Sequence, residues 1–153
     1  MDKCEEMRAR FDRFYDGQLV DSGTMQIQAI SNLQMKNIRK YFVPGIYSFD
    51  IVGFLDTGLI KAGKEGYLFT VDGVYYKEFL EKPGRFRYCD VANTEIILPK
   101  PKDNESTPQI KFKDGRWVRL IGYSLYKTAA KRLLDGLCEI AARYPDEDDD
   151  EDE

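Results

Sequence analysis

An Asp-Gly pair between two runs of aromatic and β-branched residues constrains the fold of this chain more than any other stretch. The runs are Gly66-Tyr67-Leu68-Phe69-Thr70-Val71 and Val74-Tyr75-Tyr76-Lys77, joined by Asp72-Gly73. The pattern predicts a β-hairpin, because Asp and Gly tolerate the positive φ that a two-residue type I′ turn requires. Strands are expected over 66–71 and 74–79. Asp114-Gly115 repeats the device between 109–113 and 116–122, so a second hairpin is expected there. Two such hairpins commit the middle of the chain to antiparallel strands.

Helical spacing brackets that middle. Cys4, Met7, Phe11, Phe14 and Tyr15 recur every three or four residues, which predicts an amphipathic helix over 2–16 that Asp16-Gly17 ends. A second helix is expected from Thr24 to about Phe42, capped by Ser22 or Thr24 and stopped by Val43-Pro44-Gly45. Phe49, Ile51, Val52, Phe54 and Leu55 predict a buried strand within 48–56, with Gly53 marking a bulge. Arg85-Phe86-Arg87-Tyr88-Cys89 alternates like a strand with one wet face, and 94–98 is a further short strand. Proline-rich 99–108 reads as a loop. The last helix, capped by Ser124 and stopped by Pro145, carries the stripe Tyr126, Ala129, Ala130, Leu133, Leu137, Ile140, Ala141 and Tyr144.

Composition narrows the chemistry. The chain has no histidine, which removes Ser-His-Asp and Cys-His catalysis and every His-containing zinc site. Cys4, Cys89 and Cys138 are scattered and odd in number, the usage of reduced thiols in a reducing compartment. No apolar run approaches the roughly 18 residues a membrane span needs, and the charged N-terminus does not read as a signal peptide. A cytoplasmic location is the expectation. Of the formal net charge of −4, the eight consecutive acids 146–153 account for −8, leaving +4 on the preceding chain. Such a tail is expected to be disordered. A body this weakly basic, behind an acidic tail, does not suit nucleic acid.

A family resemblance rests on 64–77 together with Phe86-Arg87-Tyr88-Cys89-Asp90-Val91. These segments resemble bacterial pleckstrin-homology-like (PH/GRAM-like) domains over about 49–144. The resemblance implies a seven-stranded antiparallel β-barrel or sandwich, within an α+β chain, capped by the C-terminal helix. Two N-terminal helices would precede it. The expected division is a helical extension over 1–45, the domain over 46–145 and the tail over 146–153. It implies a non-enzymatic interaction module that takes a protein partner, with anionic lipid headgroups as the alternative. The candidate contacts are Lys77, Arg85, Arg87, Lys111, Lys113, Arg116 and Trp117. Tyr75 and Tyr76 fall on opposite faces of their strand, so one of them is expected at the surface. A homodimer through the N-terminal helix pair is a further expectation, set against packing of that pair on its own domain.

Two motifs compete with this reading. Gly58-Leu59-Ile60-Lys61-Ala62-Gly63-Lys64 has the spacing of a phosphate-binding P-loop. Glu65 stands where Ser or Thr must hold magnesium, however, and a strand rather than a helix follows. No nucleotide, other cofactor or metal is therefore expected. Asp56-Thr57-Gly58 resembles the active-site triplet of aspartic proteases, which with one copy per chain would imply a retropepsin-like homodimer sharing one proton between two aspartates. Leu59 is bulkier than the small residue usual there. The plain alternative is a strand-ending turn, and for the basic residues it is a solvated strand face.

Overall fold

The computed structural model describes residues 2–16, 24–56, 58, 60–77, 82–97, 109–115, 117–119 and 127–144. Three α-helices are present: α1 (Lys3–Asp16), α2 (Asn32–Tyr41) and α3 (Lys127–Arg143). Strands β1 (Thr24–Gln26), β2 (Ile51–Asp56), β3 (Gly66–Thr70), β4 (Gly73–Lys77) and β5 (Gly84–Arg87) form an open antiparallel sheet in chain order. Strands β6 (Val91–Ile97), β7 (Gln109–Phe112) and β8 (Trp117–Arg119) form a separate three-stranded sheet.

This arrangement corrects the expected seven-stranded pleckstrin-homology-like barrel. The five-stranded sheet does not close, and its middle is buried on both sides: every residue of β2 and β3 is buried. On one face Val52, Leu55, Tyr67, Phe69, Val74 and Phe86 pack with Met7 and Phe11 of α1 and with Leu133, Leu134, Leu137 and Ile140 of α3. On the other, Ile51, Phe54 and Leu68 pack with Ile38, Phe42 and Ile46. Helices on both faces replace the barrel interior as the place where apolar side chains leave water. Together α1, the sheet and α2 stack as three layers.

The second helix also begins later than its spacing suggests. Met25 pairs opposite Phe54, extending the sheet through β1, and a 3-10 turn at Ile27–Ala29 follows. The N-cap is Ser31, not Ser22 or Thr24. Its hydroxyl accepts the Gln34 N–H at 3.1 Å, while the Gln34 side chain accepts the Ser31 N–H at 2.9 Å. This reciprocal capping box fixes the helix start. Of the predicted stripe on α1, Met7 and Phe11 are fully buried; the side chains of Phe14 and Tyr15 lie outside the described residues. So do Ser124, Tyr126, the loop 99–108 and the tail 146–153.

Both hairpins form, but the first does not use the turn its sequence suggests. The last paired residues are Phe69 and Val74, and neither Asp72 nor Gly73 takes positive φ. Thr70 closes the turn instead. Its hydroxyl donates to the Gly73 carbonyl at 2.8 Å and accepts the N–H groups of Asp72 and Gly73 at 3.3 and 3.2 Å. Tertiary contacts hold this shape: Val71 N–H donates to Asp50 O and the Tyr88 hydroxyl donates to Thr70 O. In the second hairpin Gly115 does take positive φ, at +88°.

At Gly53 strand β2 and helix α1 come into close contact. The expected bulge lies beside it, as a register shift between Ile51 and Gly53. A Cβ on Gly53 would sit 2.5 Å from the Phe11 ring. Gly53→Ala is therefore expected to lower unfolding stability by about 1–3 kcal/mol, read from urea denaturation. An unchanged midpoint would mean that α1 does not rest on β2.

Candidate functional site

The first candidate residue, Asp56, ends β2 and is wholly buried. A buried carboxylate needs hydrogen bonds to replace water, and the next loop supplies them. Its Oδ1 accepts the Gly58 N–H at 2.9 Å, and Oδ2 accepts the Gly63 N–H at 2.9 Å and Gln34 Nε2 at 3.1 Å. Lys61 Nζ donates to the Asp56 carbonyl at 2.9 Å, and Asn37 of α2 donates to Ala62 O at 2.7 Å. Gly63 is required twice over: it takes φ +79°, and a Cβ there would lie 2.6 Å from the Gln34 carbonyl. The P-loop-like glycines thus shape a loop that docks on α2. The Asp-Thr-Gly triplet supplies the carboxylate that ties this loop down; Thr57 itself lies outside the described residues.

The second candidate is the basic surface. Arg85 and Arg87 are both exposed on β5, the outer strand of the sheet order. Lys77 lies elsewhere, with its ammonium 6.0 Å from the centre of the Tyr41 ring on the α2 side. Lys111 and Trp117 are directly opposite in the β7–β8 ladder; their side chains, and Arg116 entirely, fall outside the described residues. Tyr75 and Tyr76 do split between the two faces, yet neither is exposed, each packing against a different core cluster. Among the described residues the exposed aromatics are instead Tyr47 and Phe49, which stack with ring centroids 5.1 Å apart.

Arg87 and Lys113 come together at a cleft of about 390 Å³, where Lys3 of α1 joins them. Among the described residues Asp72 is the acid on its wall, 3.6 Å from Lys3 Nζ. Tyr88, Tyr144 and two cysteines complete the polar lining. Lys113 is placed by its own N–H donating to Asp90 O at 2.9 Å. Tyr144 is held by donating its hydroxyl to Glu6 of α1, whose other oxygen takes Arg143 at 2.6 Å. Those partners hold the Glu6 carboxyl below its ordinary value, the Tyr144 hydrogen bond first. Burial pushes the Tyr88 phenol well up. Sequence reasoning missed Lys3, since nothing in its spacing ties the first turn of α1 to the Asp72 turn.

Among the described residues no group of three metal-ligating side chains converges, and no helix is long and apolar enough to cross a membrane. No family model matches this chain, and no curated protein or solved structure does either.

Two outcomes follow from these contacts. Asp56→Ala strands the buried Gly63 N–H, the part-buried Gly58 N–H and a bond of the Gln34 amide, and is expected to lower stability by about 1–3 kcal/mol per unmet buried group, measured by thermal unfolding. The two cleft cysteines should differ in reactivity. Burial pushes the Cys138 thiol up to about 12, so it stays protonated at pH 8, whereas Cys89 is exposed. Iodoacetamide at pH 8 is expected to alkylate Cys89 first, as peptide mass spectrometry would read; the opposite order contradicts the packing of α3.

Proposed function

We propose that this chain is a non-enzymatic interaction module that binds an acidic segment of a protein partner along β5 and the adjoining basic cleft. The observation that carries this is the convergence of Lys3, Arg87 and Lys113 around one cavity. These cations come from three distant parts of the chain and meet beside an outer strand that exposes Arg85 and Arg87. An outer strand offers backbone groups to an extended peptide, and flanking cations favour an acidic one. Three unpaired cysteines suit a module working in the cytoplasm.

What supports a non-enzymatic role is the state of Asp56, the sole catalytic candidate. Both its oxygens accept bonds from the chain's own loop or from Gln34. A retropepsin-like pair would need that carboxylate turned toward a second copy.

The test is fluorescence anisotropy with a labelled deca-glutamate peptide at low salt. Binding is expected to weaken steeply as salt is added and to fall at least about tenfold in Arg85→Glu/Arg87→Glu. Salt-indifferent binding, or binding unchanged in that variant, overturns the reading. Preference for vesicles containing phosphatidylserine over the peptide would transfer the same site to lipid headgroups. Cleavage of casein at mildly acidic pH that disappears in Asp56→Asn would make the chain an aspartic protease.

A further inference from the structure

The cleft sits at the end of α3. Ala141, Ala142 and Tyr144 form part of its wall, and the eight acids 146–153 begin two positions beyond Tyr144. Among the described residues the wall carries the cations Lys3, Arg87 and Lys113, with Asp72 3.6 Å from Lys3. The cation-lined cavity thus includes a residue two positions along the chain from the root of an acidic octet. Eight extended residues reach about 28 Å, several times the width of a cavity of this volume. Tethering holds such a segment at an effective concentration on the order of millimolar.

We propose that residues 146–153 dock in the cleft lined by Lys3, Arg87 and Lys113 and compete there with the acidic segment of a partner. This rests on the reading of the cleft as an acid-binding site. The tail acts as a built-in competitor, so a partner must carry more contacts than charge alone to displace it. Arg85, on β5 with Arg87 but not among the residues that line the cleft, gives a long extended ligand a further contact.

The experiment compares the natural chain with a full-length variant in which all eight acids are changed to their amides (Asp→Asn and Glu→Gln at 146–153). The deca-glutamate peptide is expected to bind the variant about three- to tenfold more tightly at low salt, the gap closing as salt is raised. Equal affinities overturn the competition while leaving the module intact. Absence of binding to either chain overturns the acid-binding site as well. A tail that merely repels the peptide through space would also produce the gap, so a second readout separates the two. Carbodiimide coupling of the natural chain, mapped by mass spectrometry, is expected to join a tail carboxyl to Lys3 or Lys113 within one molecule. Tail links spread over Lys36, Lys40 and Lys64 instead, or links between isotopically distinguished copies, overturn docking in the chain's own cleft.

Discussion

Burial of β2 and β3 on both faces is the constraint from which the rest of the molecule follows. A strand with no wet side needs a layer above and a layer below, and this chain meets that need with helices drawn from its two ends. The face built on Val52, Leu55, Tyr67 and Phe69 receives α1 and α3, and the face built on Ile51, Phe54 and Leu68 receives α2. Apolar side chains account for most of the energy in such an arrangement. Charge is driven to the rim as a result. Exposed cations stand on the outer strand β5, in the last turn of α3 and on α2, and the cleft opens beside the first two.

The interior nevertheless holds the wholly buried side chain of Asp56. Asp56 is tolerated because three donors meet it, two of them backbone N–H groups of the loop that Asn37 also ties to α2. Gln34 binds this loop to the first turn of α2 while also completing the capping box with Ser31. One side chain thereby serves a helix start and a buried charge together. A triplet that looks like the start of an active site is, in this packing, the anchor of a connection between β2 and β3.

Local chemistry was legible wherever the deciding contacts are local. The spacing of Met7 and Phe11, the stripe of Leu133, Leu137 and Ile140, and the two Asp-Gly hairpins all correspond to elements in the structure. The readings that failed are those in which a distant partner outweighed a local preference. Thr24–Gln26 continues a helical spacing, yet pairing with β2 makes it a strand. Asp72-Gly73 suits a type I′ turn, yet Thr70, Tyr88 and Asp50 hold another. A capping box at Ser31 and Gln34 was present in the residues and marks the true helix start; periodicity alone passed over it.

Of the candidate site, the sequence by itself determined the residue types: no imidazole, weak positive charge on the body, a run of acids at the end, and arginines alternating along one strand. These follow from side-chain chemistry and the two-residue repeat of a strand, neither of which needs a neighbour. Tertiary structure alone decided that Arg87 and Lys113 share a cleft with Lys3, that Lys77 belongs to another face, and that Asp56 is spent internally. The reason is that electrostatic proximity depends on distance through space. Only the packing of α1 and α3 together on one face of the sheet brings the first turn of α1 and the last turn of α3 to the same opening.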